Sequence, residues 1–193
     1  MGNNFATAEL FPTLPSVPEG FSYMLDFLSE AEENKLLESI SKYDLHPLLF
    51  QGFEAKRKVI SFGYDYSFDR RTLTKGNPIP TDLQWLLEKA AAQLGVSNDF
   101  AEVLITEYPP GAVINWHRDA PPFEKIAGIS LLSECTFRFR PFEKEKQTRK
   151  SIISIPLPRR SVYLIEGDAR MAWQHSIPPV NATRYSITLR TLK

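Results

Sequence analysis

From Val103 to the C-terminus the chain divides into short β-prone runs: Val103-Leu104-Ile105, Ile126 to Leu132, Thr136 to Phe139, Ile152 to Ile155, Val162 to Ile165 and Tyr185 to Leu189. Proline, glycine and charged turn residues separate them. Side chains of this kind suit a pleated, half-buried surface, and many short runs in succession are the pattern of a β-sandwich or barrel.

The first half reads differently. Ser29-Glu30-Ala31-Glu32 has the capping-box pattern, and Leu36, Leu37 and Ile40 come after it at helical spacing, which predicts a helix from about Ser29 to Tyr43. Pro80 and Thr81 open a second amphipathic stretch whose apolar face is Leu83, Leu86, Leu87, Ala90 and Leu94, and Gly95 closes it. Helices come first and strands last, so the fold class is α+β with a β-barrel core. Residues 1–20, with Pro12, Pro15 and Pro18, read as an extended proline-rich arm ahead of a single domain over 21–193. At 193 residues, one domain of this size buries roughly 70% of the surface its unfolded chain exposes.

Charge narrows the partners. Lys+Arg and Asp+Glu are both 23, so bulk electrostatics supply no pull toward nucleic acid or membrane, and any such contact needs a local patch. Arg138, Arg140, Lys144, Lys146, Arg149, Lys150, Arg159 and Arg160 form one candidate cluster, to be weighed against a solvated hairpin carrying Glu143 and Glu145. The single Cys135 excludes a disulfide framework and a cysteine-rich zinc site; with no signal-peptide pattern at the start, the expected compartment is the cytoplasm and no membrane is expected.

His117-Arg118-Asp119 puts an imidazole and a carboxylate two residues apart, and in an extended strand such residues project from one face. Of the three histidines, His46 precedes Pro47 in the helix-associated region, which makes His175 the better candidate for the third ligand. Two histidines and one carboxylate on one face of an octahedron are the arrangement of non-haem iron(II) oxygenases, with three positions open for a bidentate 2-oxo acid and O2. Arg184 and Arg190 are six residues apart, on one face of a strand. Such fixed, planar cations suit a dicarboxylate cosubstrate.

These residues resemble the AlkB-like iron(II)/2-oxoglutarate dioxygenases, over about Phe21 to Arg190. Tyr108-Pro109-Pro110-Gly111 leading to Trp116-His117-Arg118-Asp119 looks like the family's tyrosine, proline-glycine turn and His-x-Asp; Arg159 to Leu164 with Gly167, Arg170, Trp173 and His175 is similar to its approach to the distal histidine; and Arg184-Tyr185-Ser186-Ile187-Thr188-Leu189-Arg190 resembles its closing arginine motif. The resemblance implies a double-stranded β-helix, or jelly-roll, core over 101–193, buttressed by helices and a substrate lid over 21–100. It implies Fe(II) held by His117, Asp119 and His175, with 2-oxoglutarate and O2 as cosubstrates. Arg184 would pair with the distal carboxylate of 2-oxoglutarate, Arg190 would lie near the metal end, and Tyr108 would donate a hydrogen bond to the same cosubstrate. Thr106 and Ser186, which stand where the family often has asparagine, are assigned to that pocket as well. Arg57, Phe62 and Tyr64 look like the lid, where an aromatic stacks on a nucleobase.

The activity so implied is oxidative dealkylation of alkylated bases in DNA or RNA, as in DNA repair, by a monomer that releases succinate, CO2 and formaldehyde. Pro121 departs from the acidic residue the nucleic-acid demethylases commonly place there. It leaves open a hydroxylase or demethylase of a protein side chain or of a modified tRNA nucleoside. A non-catalytic β-barrel binding module is the reading from another class.

Overall fold

The computed structural model describes residues 17–50, 53–67 and 70–193. Two antiparallel sheets face one another. The larger runs in the order β1 (Phe21–Met24), β10 (Val162–Ile165), β7 (Phe123–Leu131), β12 (Arg184–Leu192), β5 (Phe100–Tyr108), β3 (Phe53–Ser67) and β2 (His46–Phe50), with β4 (Thr72–Lys75) paired to β3. The smaller is β6 (Ile114–His117), β11 (Trp173–Ile177), β8 (Cys135–Pro141) and β9 (Ile153–Leu157). This is an α+β jelly roll. Each of the six β-prone runs forms a strand, with Leu132 and Ile152 falling just outside the strand ends.

Alternation along the strands makes two cores. Val103 and Ile105 of β5, Ile129 and Leu131 of β7, and Ile187 and Leu189 of β12 point outward, where α1 (Glu30–Ile40) and α2 (Gln84–Leu94) cover them with Leu36, Ile40, Leu86 and Leu87. The other face of the large sheet meets Phe137, Phe139, Ile155 and Leu157 of the small sheet, forming the sandwich interior. Burying both faces of the large sheet in this way is what lets so short a chain hold an internal cavity.

The helices begin where the sequence places them. Ser29 caps α1, its hydroxyl accepting from Glu32 N while the Glu32 carboxylate accepts from Ser29 N, so the capping box forms in full. A short 3-10 turn, Thr81–Leu83, leads into α2, and Gly95 takes the left-handed conformation at its end. Buried Glu33 ties α1 to the sheets by accepting from Leu132 N (2.8 Å) and from Arg159 Nε (3.0 Å), with Arg160 Nη1 at 3.7 Å. Arg159 and Arg160 are thereby withdrawn from the expected phosphate cluster: a buried carboxylate needs cations, and these two supply them.

One expectation about the N-terminal half is corrected. Strands do not all come after helices, because β1 to β4 lie before residue 76, and β3 is a full member of the large sheet beside β5. Its lysines and arginine broke the apolar alternation that sequence reading depends on. Most of the expected arm, residues 1–16, lies outside the described residues. The C-terminal end of that arm is pinned to α3 (Gly167–Met171) and its approach, with Glu19 O accepting from Ala169 N (2.7 Å) and Gly20 O from Glu166 N (2.9 Å).

Candidate metal and cosubstrate site

The sandwich interior collects polar side chains at one place. His117 ends β6 and stands in register with His175 on β11, their rings 4.3 Å apart between centroids. Asp119 lies two residues beyond the strand, its Oδ2 3.4 Å from His175 Nε2. One ligating atom from each of the three lies within 4.8 Å of the others. His117 Nδ1 is 2.8 Å from Asn115 O; a carbonyl only accepts, so Nδ1 carries the proton and Nε2 keeps a free lone pair.

Electrostatics keep these groups in ligand form. Burial, with His117 beside it, pushes the His175 imidazole down to about 3, and burial likewise lowers His117, so both are neutral at pH 7. Burial alone would raise Asp119, but Arg190, joined in acid by the two imidazoles once protonated, outweighs it and holds the carboxyl well below the usual carboxylate range. Asp119 Oδ1 accepts from Arg190 Nε (3.1 Å) and Nη2 (2.7 Å), whereas Oδ2 is buried with no hydrogen-bond partner. An orphaned carboxylate oxygen between two neutral imidazoles costs free energy unless a cation meets it. The donor set of two nitrogens and one oxygen fits Fe(II).

The even-numbered residues of β12 carry the cavity away from the ligands. Arg184, Ser186, Thr188 and Arg190 all line it, with Thr106 and Tyr108 on neighbouring β5 and Arg57 on β3. Arg184 is 1% exposed, donates from Nε to Ser130 Oγ (3.1 Å), and leaves Nη1 buried and unpartnered. Its guanidinium carbon is 4.9 Å from the centre of the Tyr108 ring, and Tyr108 Oη is 3.3 Å from Ser186 Oγ. The cavity is about 60 Å³, with an unsatisfied anion at the ligand end and an unsatisfied cation at the other. A dianionic 2-oxo acid complements that polarity.

Two lid residues do not join the cavity. Phe62 is buried in the outer core, edge-to-face with Tyr43 at 5.2 Å, because it pairs with Val103 on the helix-facing side of the sheet. It is not the exposed stacking platform expected of it. Gly63 then takes φ +84, where a Cβ would meet Ala101 O at 2.1 Å. Half-buried Tyr64 lies beyond this point, paired with Lys75 of β4, and it does not line the cavity.

Sequence reading missed two supporting residues, Glu102 and Ser130, and gave a third, Arg170, no role. Glu102 is 2% exposed and accepts from Arg190 Nη1 at 2.6 Å, which fixes the guanidinium that holds Asp119. Counting back by twos from Tyr108 would have found it. Ser130, the Arg184 partner, carried no signal. Arg170, on α3, donates from Nη2 to the carbonyls of Asp119, Ala120 and Phe123 at 3.0, 2.8 and 3.1 Å. Its charge in a segment already similar to a known motif was the available clue.

Comparison with known proteins agrees with this geometry. Residues 20–190 match the model of the 2OG-Fe(II) oxygenase superfamily. The chain is 30% identical over 171 residues to the Xenopus tropicalis tRNA (carboxymethyluridine(34)-5-O)-methyltransferase alkbh8, covering 86% of this chain and 26% of that protein. It thus spans about a quarter of the length of that relative. It is 28% identical over 198 residues to the Arabidopsis thaliana "Alkylated DNA repair protein ALKBH8 homolog", covering 91% of this chain and 55% of that protein. The solved structure of OsALKBH1 superposes with a TM-score of 0.67 at 13% identity, covering 91% of this chain and 98% of that one, and shares the fold. The chain belongs to the 2OG-Fe(II) oxygenase superfamily, as an AlkB-like dioxygenase that uses Fe(II), 2-oxoglutarate and O2.

Proposed function

We propose that the protein removes alkyl groups oxidatively from bases in DNA or RNA, with His117, Asp119 and His175 as the metal ligands. The observation that carries the catalytic part is the pair of buried, unsatisfied groups at opposite ends of one cavity, Asp119 Oδ2 and Arg184 Nη1. The nucleic-acid part is supported by the ALKBH8 and AlkB-homologue names of its relatives.

When bound, Fe(II) and 2-oxoglutarate supply activation of O2 coupled to decarboxylation of the cosubstrate to succinate and CO2. The chain's own residues bind, orient and exclude water. Arg184 receives the far carboxylate of the cosubstrate, with Tyr108, Thr106 and Ser186 supplying hydroxyls along its length. Arg190, clamped by Glu102, keeps Asp119 ionised and fixed, so its free oxygen needs no reorientation. Phe137, Ile126 and Tyr163 wall the cavity and keep bulk water from the ligands. Arg57 stands among the lining residues from β3 and is the candidate for substrate contact. On an N-methyl group, insertion of oxygen into a C–H bond gives a hemiaminal, which releases formaldehyde.

A second reading is a modified tRNA nucleoside as substrate, favoured by the tRNA named in the first relatives. The protein is proposed to act as a cytoplasmic monomer; among the described residues no helix is long and apolar enough to cross a membrane. The test is succinate and formaldehyde release with Fe(II), 2-oxoglutarate and O2, against methylated DNA and RNA oligonucleotides and bulk tRNA. Oligonucleotide-stimulated formaldehyde that disappears in Asp119→Ala is the expected result. Stimulation by tRNA alone selects the second reading, and succinate that no nucleic acid stimulates overturns both.

A further inference from the structure

β8 alternates Phe137 and Phe139 inward with Arg138 and Arg140 outward. Likewise His117 on β6 faces the cavity, so its neighbour Trp116 lies on the outer face of the small sheet. Trp116 reaches across β11 to both arginines, whose guanidinium carbons are 5.0 and 4.6 Å from its ring centre. Arg138 Nε donates to Ser176 Oγ (3.1 Å) and Arg140 Nε to Gln174 Oε1 (2.8 Å), both on that intervening strand. One step further along the same face, the Arg118 guanidinium carbon is 3.6 Å from the centre of the Phe142 ring, which is 44% exposed.

The three arginines differ from Arg159, Arg160 and Arg190, which each pair with a carboxylate. Among the described residues no carboxylate lies within ion-pair distance of Arg118, Arg138 or Arg140. Aromatic faces and neutral side chains fix their orientation and leave their charge uncompensated. Residues two apart on a strand repeat at about 7 Å, on the order of one nucleotide of extended backbone. The strip ends at Arg118, between two of the candidate metal ligands. Were these arginines present only to shelter Trp116, exposed Phe142 and its stacked arginine would have no counterpart in that role.

We propose that this strip is the track for the phosphate backbone of a single nucleic-acid strand whose target base enters the cavity. The proposal rests on the nucleic-acid dealkylation reading and adds where the strand lies. Arg138 and Arg140 offer their Nη donors to phosphate oxygens and Arg118 offers Nη2, its Nη1 being held by Met171 O at 2.7 Å; the aromatic behind each restricts its rotamers, so little side-chain freedom is lost on binding. The track reads charge and spacing rather than sequence.

The experiment is equilibrium binding of a fluorescently labelled, unmethylated single-stranded oligonucleotide across a salt series. It compares wild type with the Arg138→Gln/Arg140→Gln double variant, with Arg138→Lys/Arg140→Lys, and with Lys42→Gln, which removes an exposed charge from the turn after α1. Thermal midpoints are recorded for each. Losing two phosphate contacts lowers the slope of log K against log salt by about 1.4 and weakens binding about tenfold or more at low salt. The lysine variant should keep the slope, with an affinity between the other two. A glutamine variant that folds like wild type and matches Lys42→Gln in slope and affinity overturns the track while leaving the dealkylation reading standing. Wild-type protein that binds no oligonucleotide and forms no formaldehyde from one overturns both.

Discussion

Arg184 and Arg190 carry the same charge and do different work. Arg190 is saturated by Asp119 and Glu102, whereas Arg184 holds a buried nitrogen in reserve. Arg184→Gln should therefore raise KM for 2-oxoglutarate about 10- to 100-fold, the worth of a charge-assisted hydrogen bond of about 1.5 to 3 kcal/mol. Titrating 2-oxoglutarate in the succinate assay checks this. The buried imidazoles set the pH response of the metal-free protein. His175 has an unfolded value near 6.5 and a folded value of about 3, so between these the unfolded chain binds more protons and stability falls as pH falls. His175 alone should cost about 2 kcal/mol between pH 6.5 and 5, with His117 adding in the same sense, and urea midpoints of chelator-treated protein measure it. Asp119, held low when folded, adds a further loss only below about pH 4. The ligand candidates and both arginines were legible because spacing of two and six survives folding as a shared strand face. Phe62 was carried over from the resemblance, and spacing could not correct it: alternation says that two residues share a face, but not which face looks inward.

Among the elements, the loop after β6 and the short helix α3 hold one another. Arg170 reaches from the helix to two loop carbonyls and to that of Phe123 at the start of β7, and Arg118 reaches back from the loop to Met171 O at 2.7 Å. Arg170→Met, which keeps apolar bulk but no donor, should lower stability by about 3 kcal/mol, because it strands buried carbonyls that nothing else can meet. Chemical denaturation of wild type and variant measures that difference. On β7, a Cβ at Gly128 would stand 2.1 Å from the Tyr163 ring. Gly128→Ala should cost about 1 to 3 kcal/mol by overpacking and should displace a wall of the cavity, so its stability loss comes with weakened 2-oxoglutarate binding in the same preparation. The helices were readable in outline because caps and 3.6-residue periodicity are local. β1 to β4 were not, since β3 mixes lysine, arginine and aspartate into a strand whose membership of the sheet is decided by its neighbour β5.

For the molecule as a whole, a ligand that binds only the folded form adds stability by mass action. Metal at 100 times its dissociation constant should add about 2.7 kcal/mol, seen as a higher thermal midpoint that a chelator reverses, with no such gain in Asp119→Ala. A net charge of zero hides strong local ordering: paired charges fasten α1 to the sheets, buried charges define the cavity, and unpaired arginines collect on one outer face. That ordering depends on strand parity. From Arg184 to Arg190 the fold counts residues, since four alternate side chains must reach the cavity while the three between them pack under the helices. A descendant of this chain could exchange most side chains along β12 and still assemble, yet insertion or loss of a single residue there would turn the far arginine outward. Over evolutionary time, length changes should accumulate in the connection from β8 to β9 and be purged from this ruler, so lineages that keep the chemistry will be recognised by a conserved interval before any conserved composition.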